Sequence, residues 1–183
     1  MKKEKVKDRI IRVASDLFYR QGYNSTGINQ IIADANIAIG SLYNHFSSKN
    51  ELLHAYLIKE ELAWFEGVEK SIEGCSDPRE KIEALMDYRK QLQKSSKFTG
   101  CHFIKIISEI GDTNPVVSDF VKKHKEKQKD LIRTLVEQSQ LPEIDLTAET
   151  IFLLIEGAVV TSTIQKKTDS FDHAKKIVQG LLS

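Results

Sequence analysis

The stretch SLYNHFSSKN, residues 41–50, brings together Ser41, Tyr43, Asn44, His45 and Lys49, which are hydroxyl, amide and imidazole groups beside a cation with no acid among them. Such donors suit phosphate oxygens. Lys49 falls where a helix begins, and a cation there opposes the helix dipole. A bound phosphate would satisfy the ammonium and the free N–H groups of the helix together. A second cluster, GCHFIKIISEI at residues 100–110, sets Lys105 four residues after Cys101. On one helix an ammonium so placed favours the reactive thiolate. Inert packing of Cys101, with Lys105 paired to Glu109, is the alternative.

These groups need elements to hold them, and the chain reads as helix almost throughout. Val6, Ile10, Val13, Leu17 and Phe18 share one face of a first helix that stops at Gly22. Ser25 and Thr26 supply an N-cap for INQIIADA, and Asn36, a residue that tolerates left-handed backbone, separates it from IAIGSLYNHF. Two short helices joined by a tight turn form a helix-turn-helix. Ser48 with Glu51 makes a capping box for a long helix ending near Gly74, and Asp77 with Pro78 opens another running to about Lys94. Further helices are expected at about 99–110, from Asn114–Pro115 to Ser139 before a break at Leu141–Pro142, from a cap at Thr147, and from Ser170. The expected class is all-α, with no strand alternation and no repeat.

Charge is distributed unevenly. Residues 1–50 hold eight Lys/Arg (Lys2, Lys3, Lys5, Lys7, Arg9, Arg12, Arg20, Lys49) and four acids, a surplus of four, whereas the whole chain carries +1. A basic head on a mildly acidic body fits polyanion binding. No apolar run is long enough for a membrane span or signal peptide, so a cytoplasmic protein with no membrane partner is expected. Two cysteines make neither a disulfide framework nor a zinc site, and no metal or cofactor is expected. The chain lacks an HExxH motif, a phosphate-binding glycine loop and a nucleophile elbow, which argues against an enzyme.

The run TGINQIIADANIAIGSLYNHFSSKNEL, Thr26 to Leu52, together with Gly22–Tyr23, resembles the signature of the TetR family of transcriptional regulators, in register over residues 6–55. The resemblance implies a three-helix helix-turn-helix DNA-binding head, placed here at residues 1–47, on a larger helical dimerisation and effector-binding body, residues 48–183. It also implies a dimeric repressor on a palindromic operator in double-stranded DNA. Candidate DNA contacts are Thr26, Asn29, Gln30, Ile39, Gly40, Ser41, Tyr43, Asn44, His45 and Lys49, with Leu42 and Phe46 as core of the head. Three positions depart from the family pattern: Asn36 stands for the usual glycine, Ala38 for a capping Ser or Thr, and Ile39 for a polar residue. Isoleucine meets a thymine methyl but cannot read a purine by hydrogen bonding. The GC-x-x-x-K-x-x-x-E pattern of residues 100–109 is similar to that of family members that sense electrophiles or oxidants, which makes Cys101 with Lys105 an alternative control point.

In the body, IFLLIEGAVV at residues 151–160 is apolar nearly all round. With the helix bearing Val117, Phe120, Val121, Leu131, Leu135 and Val136 it is expected to form half of an intermolecular four-helix bundle, or else an internal core. Trp64, Phe65, Met86, Phe98, Cys101, Phe103 and Phe152 would supply either a pocket for a small hydrophobic effector or ordinary core. A helical interaction module without specific DNA binding is the reading from another class.

Overall fold

The computed structural model describes residues 4–141 and 143–182, so Lys2, Lys3 and the Pro142 half of the expected break lie outside the described residues. Helices account for all the regular structure among them, and the expected all-α class holds: α1 (Val6–Gln21), α2 (Ile28–Asp34), α3 (Ile39–Tyr43), α4 (Lys49–Ile72), α5 (Pro78–Ser95), α6 (His102–Ile110), a 3-10 turn (Gly111–Thr113), α7 (Pro115–Gln138), α8 (Ile144–Gln165) and α9 (Asp169–Leu181). No helix among the described residues is long and apolar enough to cross a membrane. The chain divides into two compact units, Met1–Leu62 with His102–Asp119, and Ala63–Cys101 with Phe120–Ser183.

In the first unit, α1 buries Ile10, Val13, Ala14, Leu17 and Phe18, the face that its three- and four-residue spacing predicts. Gly22, at φ 94° and ψ 157°, ends it. Asn36 takes the left-handed turn at φ 49°. Ala38 is the N-cap of α3 and makes no side-chain cap bond. The capping box opening α4 is shifted by one residue: the Ser48 hydroxyl accepts from the Glu51 N–H at 3.1 Å, but the Glu51 carboxylate reaches back to the Ser47 N–H at 2.6 Å. Those Ser47 bonds hold the Glu51 carboxyl below its usual range.

Three other expectations are corrected. Thr26 is not a cap, because Gly27 occupies that position and the Thr26 hydroxyl donates back to the Gly22 carbonyl at 2.6 Å. Thr147 lies inside α8, which starts at Ile144 behind a left-handed Glu143. Ser170 lies within α9, where its hydroxyl donates to the Ala158 carbonyl at 3.0 Å.

A polar cluster joins α6 to α1 and α4 inside this unit. The His102 ring stacks on Tyr19 at 3.7 Å, and its Nδ1 shares a 2.6 Å hydrogen bond with the Tyr56 hydroxyl. Its Nε2 lies 3.6 Å from the Glu60 carboxylate. Burial raises the Glu60 carboxyl above its ordinary 4.5, against the pull of Lys59. The native state therefore binds this proton more readily than the unfolded chain, so the stability that Glu60 contributes is complete below 4.5 and is lost as pH rises. Glu60→Gln should raise the melting temperature at about pH 8, by an amount that shrinks as pH falls through the acid range. A constant difference across that range in thermal melts would contradict this.

In the second unit, α5 begins as expected, with the Asp77 carboxylate accepting from the Arg79 N–H at 2.9 Å. Its buried stripe is Ile82, Leu85, Met86, Arg89 and Gln93. Helices α8 and α9 pack together, and both pack on α5. Lys97 and Phe98, at φ 54° and 58°, make two successive left-handed turns after α5.

Candidate nucleic-acid interface

The helix-turn-helix owes its geometry to a few buried anchors. Ile31 and Ala35 at α2, Leu42 and Phe46 at α3, Phe18 of α1 and Leu52 and Leu53 of α4 are all buried, and α1, α2 and α3 pack on one another. Anchoring α3 through Leu42 turns its other side outward: Ile39 is 57% and Tyr43 51% exposed, and Gly40, Asn44 and His45 are exposed with them. Ser41 is half-buried. A Cβ built on Gly40 would meet nothing within 4 Å. The fold therefore does not require glycine there.

Other candidates are differently placed. Asn29 is exposed on α2, whereas Gln30 exchanges amide hydrogen bonds with Gln21, at 2.7 Å and 3.2 Å. Gln21 was not foreseen, and its only sequence signal is its place at the end of α1. Thr26 is 1% exposed, and its hydroxyl is bound to Gly22 and Gln21. Lys49 donates to the Tyr23 carbonyl at 2.6 Å and lies 4.1 Å from the centre of the Tyr23 ring. Desolvation lowers its pKa while Glu109 opposes the shift. The ammonium thus has a partner within the fold, so its presence needs no phosphate.

The body candidates fall in both units. Trp64 and Phe65 set their rings edge-on to His124, whose Nε2 is 3.0 Å from the Gln128 amide. Lys125 reaches Gln128 at 3.2 Å, Glu156 at 2.7 Å and Cys101 Sγ at 3.8 Å, and stands over Phe152. Met86 lies on the α5 stripe, Phe98 in the loop after α5, and Phe103 is buried in the first unit. The expected pairing of Cys101 with Lys105 is corrected. Cys101 precedes α6, Lys105 donates to the Tyr19 carbonyl at 2.5 Å, and the ammonium beside the sulfur belongs to Lys125 of α7. His124 and Gln128, both buried, were not foreseen; their i, i+4 spacing on α7 was the available signal.

Comparison with known proteins places both parts of the chain. The family model described as bacterial regulatory proteins, tetR family, matches residues 10–56, and the transcriptional regulator LmrA/YxaF-like C-terminal domain matches residues 78–177. The HTH-type transcriptional regulator LmrA of Bacillus subtilis is 36% identical over 81 residues, 44% of this chain and 43% of LmrA. QacR of Staphylococcus aureus is 38% identical over 77 residues, 42% of this chain and 41% of QacR. The match therefore spans less than half the length of either relative. Among solved structures, a TetR-family regulator from Streptomyces coelicolor has a TM-score of 0.89 at 23% identity, covering 97% of this chain and 94% of that one. The reduced form of NemR from E. coli has a TM-score of 0.82 at 19% identity, covering 97% of each. At those identities the likeness is one of fold.

Proposed function

This chain belongs to the TetR family of bacterial transcriptional regulators, and from that premise we propose that it is a homodimeric repressor released from a palindromic operator by a small, largely apolar effector held in its body. It is a transcriptional regulator with a DNA-binding helix-turn-helix, and its family is one of regulators, not an enzyme class. The observation that carries the reading is the outward side of α3, where Ile39, Gly40, Tyr43, Asn44 and His45 stand free of the head core. Ser41 and Asn44 read base edges, Ile39 meets a thymine methyl, and Tyr43 and His45 hold phosphates. Asn29 and Gln30 approach the backbone from α2, Gln30 already set by Gln21. Thr26 and Lys49 shape the loop that presents these groups.

Support for a dimer comes from apolar surface left uncovered. Leu146, Leu153, Val160 and Ile164 of α8 are each more than half exposed and line one face with Gly157, while Ile177 and Leu181 extend it on α9. On α7, Val117, Val121, Leu135 and Val136 are buried within the single chain, which favours the internal-core alternative for that stripe. A two-fold pair sets recognition helices about 34 Å apart, one turn of duplex.

The test is fluorescence anisotropy on duplex from upstream of the gene, against random duplex. Saturable binding that outcompetes random DNA is expected, with a log–log salt slope near about −7 for roughly eight phosphate contacts. A helical interaction module of another kind would show no saturable binding. Tyr43→Phe should weaken binding to every sequence alike, by about tenfold for two hydroxyls per dimer. Unchanged affinity would remove the phosphate role.

The contact of Lys125 with Cys101 favours a second reading, in which oxidation or alkylation of Cys101 releases the operator. Cys101→Ser should then abolish release by oxidant or electrophile. Retained release would defeat that reading.

A further inference from the structure

The second unit contains an uncompensated charge. Arg89 is 7% exposed and lies in the middle of the buried α5 stripe, between Met86 and Gln93. Among the described residues its guanidinium meets no carboxylate and no hydrogen-bond acceptor. Other charges of the same unit are matched to one another: Lys175 holds Glu83 and Asp87, Lys90 holds Asp172, and Lys125 holds Glu156. The Arg89 side chain is more than nine-tenths buried, but its guanidinium nitrogens are not sealed off, and a charge so placed without a counter-charge takes a partner from water or a ligand.

Two neutral groups in the same unit are also unmet. The Gln93 amide nitrogen donates to the Val159 carbonyl at 2.8 Å and to Thr163 Oγ1 at 3.0 Å, which fixes the orientation of the amide. Its oxygen is buried without a donor, and the Trp64 indole N–H is buried without an acceptor. Arg89 and Gln93 sit one turn apart on one face of α5. Tyr88, beside Arg89, packs on Gly67 of α4, one turn from Trp64. Ile82, Leu85 and Met86 are the apolar members of the same buried α5 stripe.

We propose that Arg89 is the anchor of the effector site and that the effector is a monoanionic acid, a carboxylate on an apolar body. This rests on the reading of the chain as an effector-controlled regulator and names the chemistry of that effector. A carboxylate matches the guanidinium fork with two parallel hydrogen bonds and cancels its single charge. A phosphate dianion would leave excess negative charge in an apolar interior.

The test uses the full chain without DNA, so that ligand chemistry is separated from operator release. Decanoate, decanol and decyl phosphate, with 2-naphthoate and 2-naphthol as a flat pair, are compared by calorimetry and thermal melting. At least one acid should bind about 30-fold or more tightly than its matched alcohol, and that preference should vanish in Arg89→Met. Without ligand, Arg89→Met and Arg89→Gln should fold and melt no lower than wild type, because each removes an unmatched charge. Acids no better than alcohols, or acids bound equally by Arg89→Met, would overturn the site. So would melting of both variants well below wild type, which would mark Arg89 as a support of the fold. Decyl phosphate binding more tightly than decanoate would overturn the carboxylate. An acid that binds through Arg89 yet leaves DNA affinity unchanged supports the site and defeats the effector role.

Discussion

Gly22→Ala should lower the melting temperature by about 6–12 °C, the equivalent of about 3 kcal/mol in a chain of this size. Two effects combine at this position. The backbone at φ 94° and ψ 157° lies where side chains with a Cβ are strained. A Cβ would also stand 2.7 Å from Glu109 Oε1 and 3.1 Å from its carboxyl carbon. The carboxylate would have to withdraw, and with it the 2.9 Å bond it accepts from the Asn24 N–H. Glu109 is tied to the same loop a second time, since the Asn24 amide donates to its carbonyl at 3.2 Å. Glu109→Ala should therefore remove the collision but not the strain, so Gly22→Ala should cost less in that background, with a coupling of about 1 kcal/mol. Melting within about a degree of wild type would show that the turn relaxes freely and that α6 does not depend on it.

Leu153→Glu should yield a monomer by sedimentation, with affinity for a palindromic duplex about 100- to 10,000-fold weaker. Leu153 is 58% exposed in the single chain, so a glutamate there costs the protomer little and its circular dichroism should be unchanged. In a two-fold interface the same residue meets its own copy or its near neighbours, and two carboxylates are desolvated together. Val116→Glu is the control: Val116, 67% exposed on the first turn of α7, is not a member of the α8 stripe and should leave the dimer intact. If Leu153→Glu sediments as a dimer of undiminished stability, the α8 face is not the interface.

The sequence was most informative where a single residue type has one physical use. Gly22 and Asn36 punctuated the head correctly because left-handed or otherwise strained backbone admits few residues. Leu42 and Phe46, one turn apart, fixed which side of α3 faces the core and so which side is exposed. Hydroxyls near helix starts were ambiguous. Thr26 and Thr147 have the chemistry of caps, yet one bonds backward to Gly22 and the other lies within α8, and local spacing does not separate these outcomes. Long-range partners were not legible at all. Lys105 is four residues from Cys101, but the helix begins after the cysteine, and the cation at the sulfur comes from α7. Arg89 is recognisable only with hindsight: on a stripe spaced 82, 85, 86, 89, 93 it occupies a core position, and a charge on such a stripe was the available signal.

The empty space around Gly40 bears on how α3 meets DNA. No neighbour lies within 4 Å of where its side chain would begin, so alanine there meets no clash and would strengthen the helix. In the proposed complex the groove wall that α3 approaches supplies a demand for a small residue there. Under that proposal a substitution at Gly40 alters the DNA contact at no cost to folding.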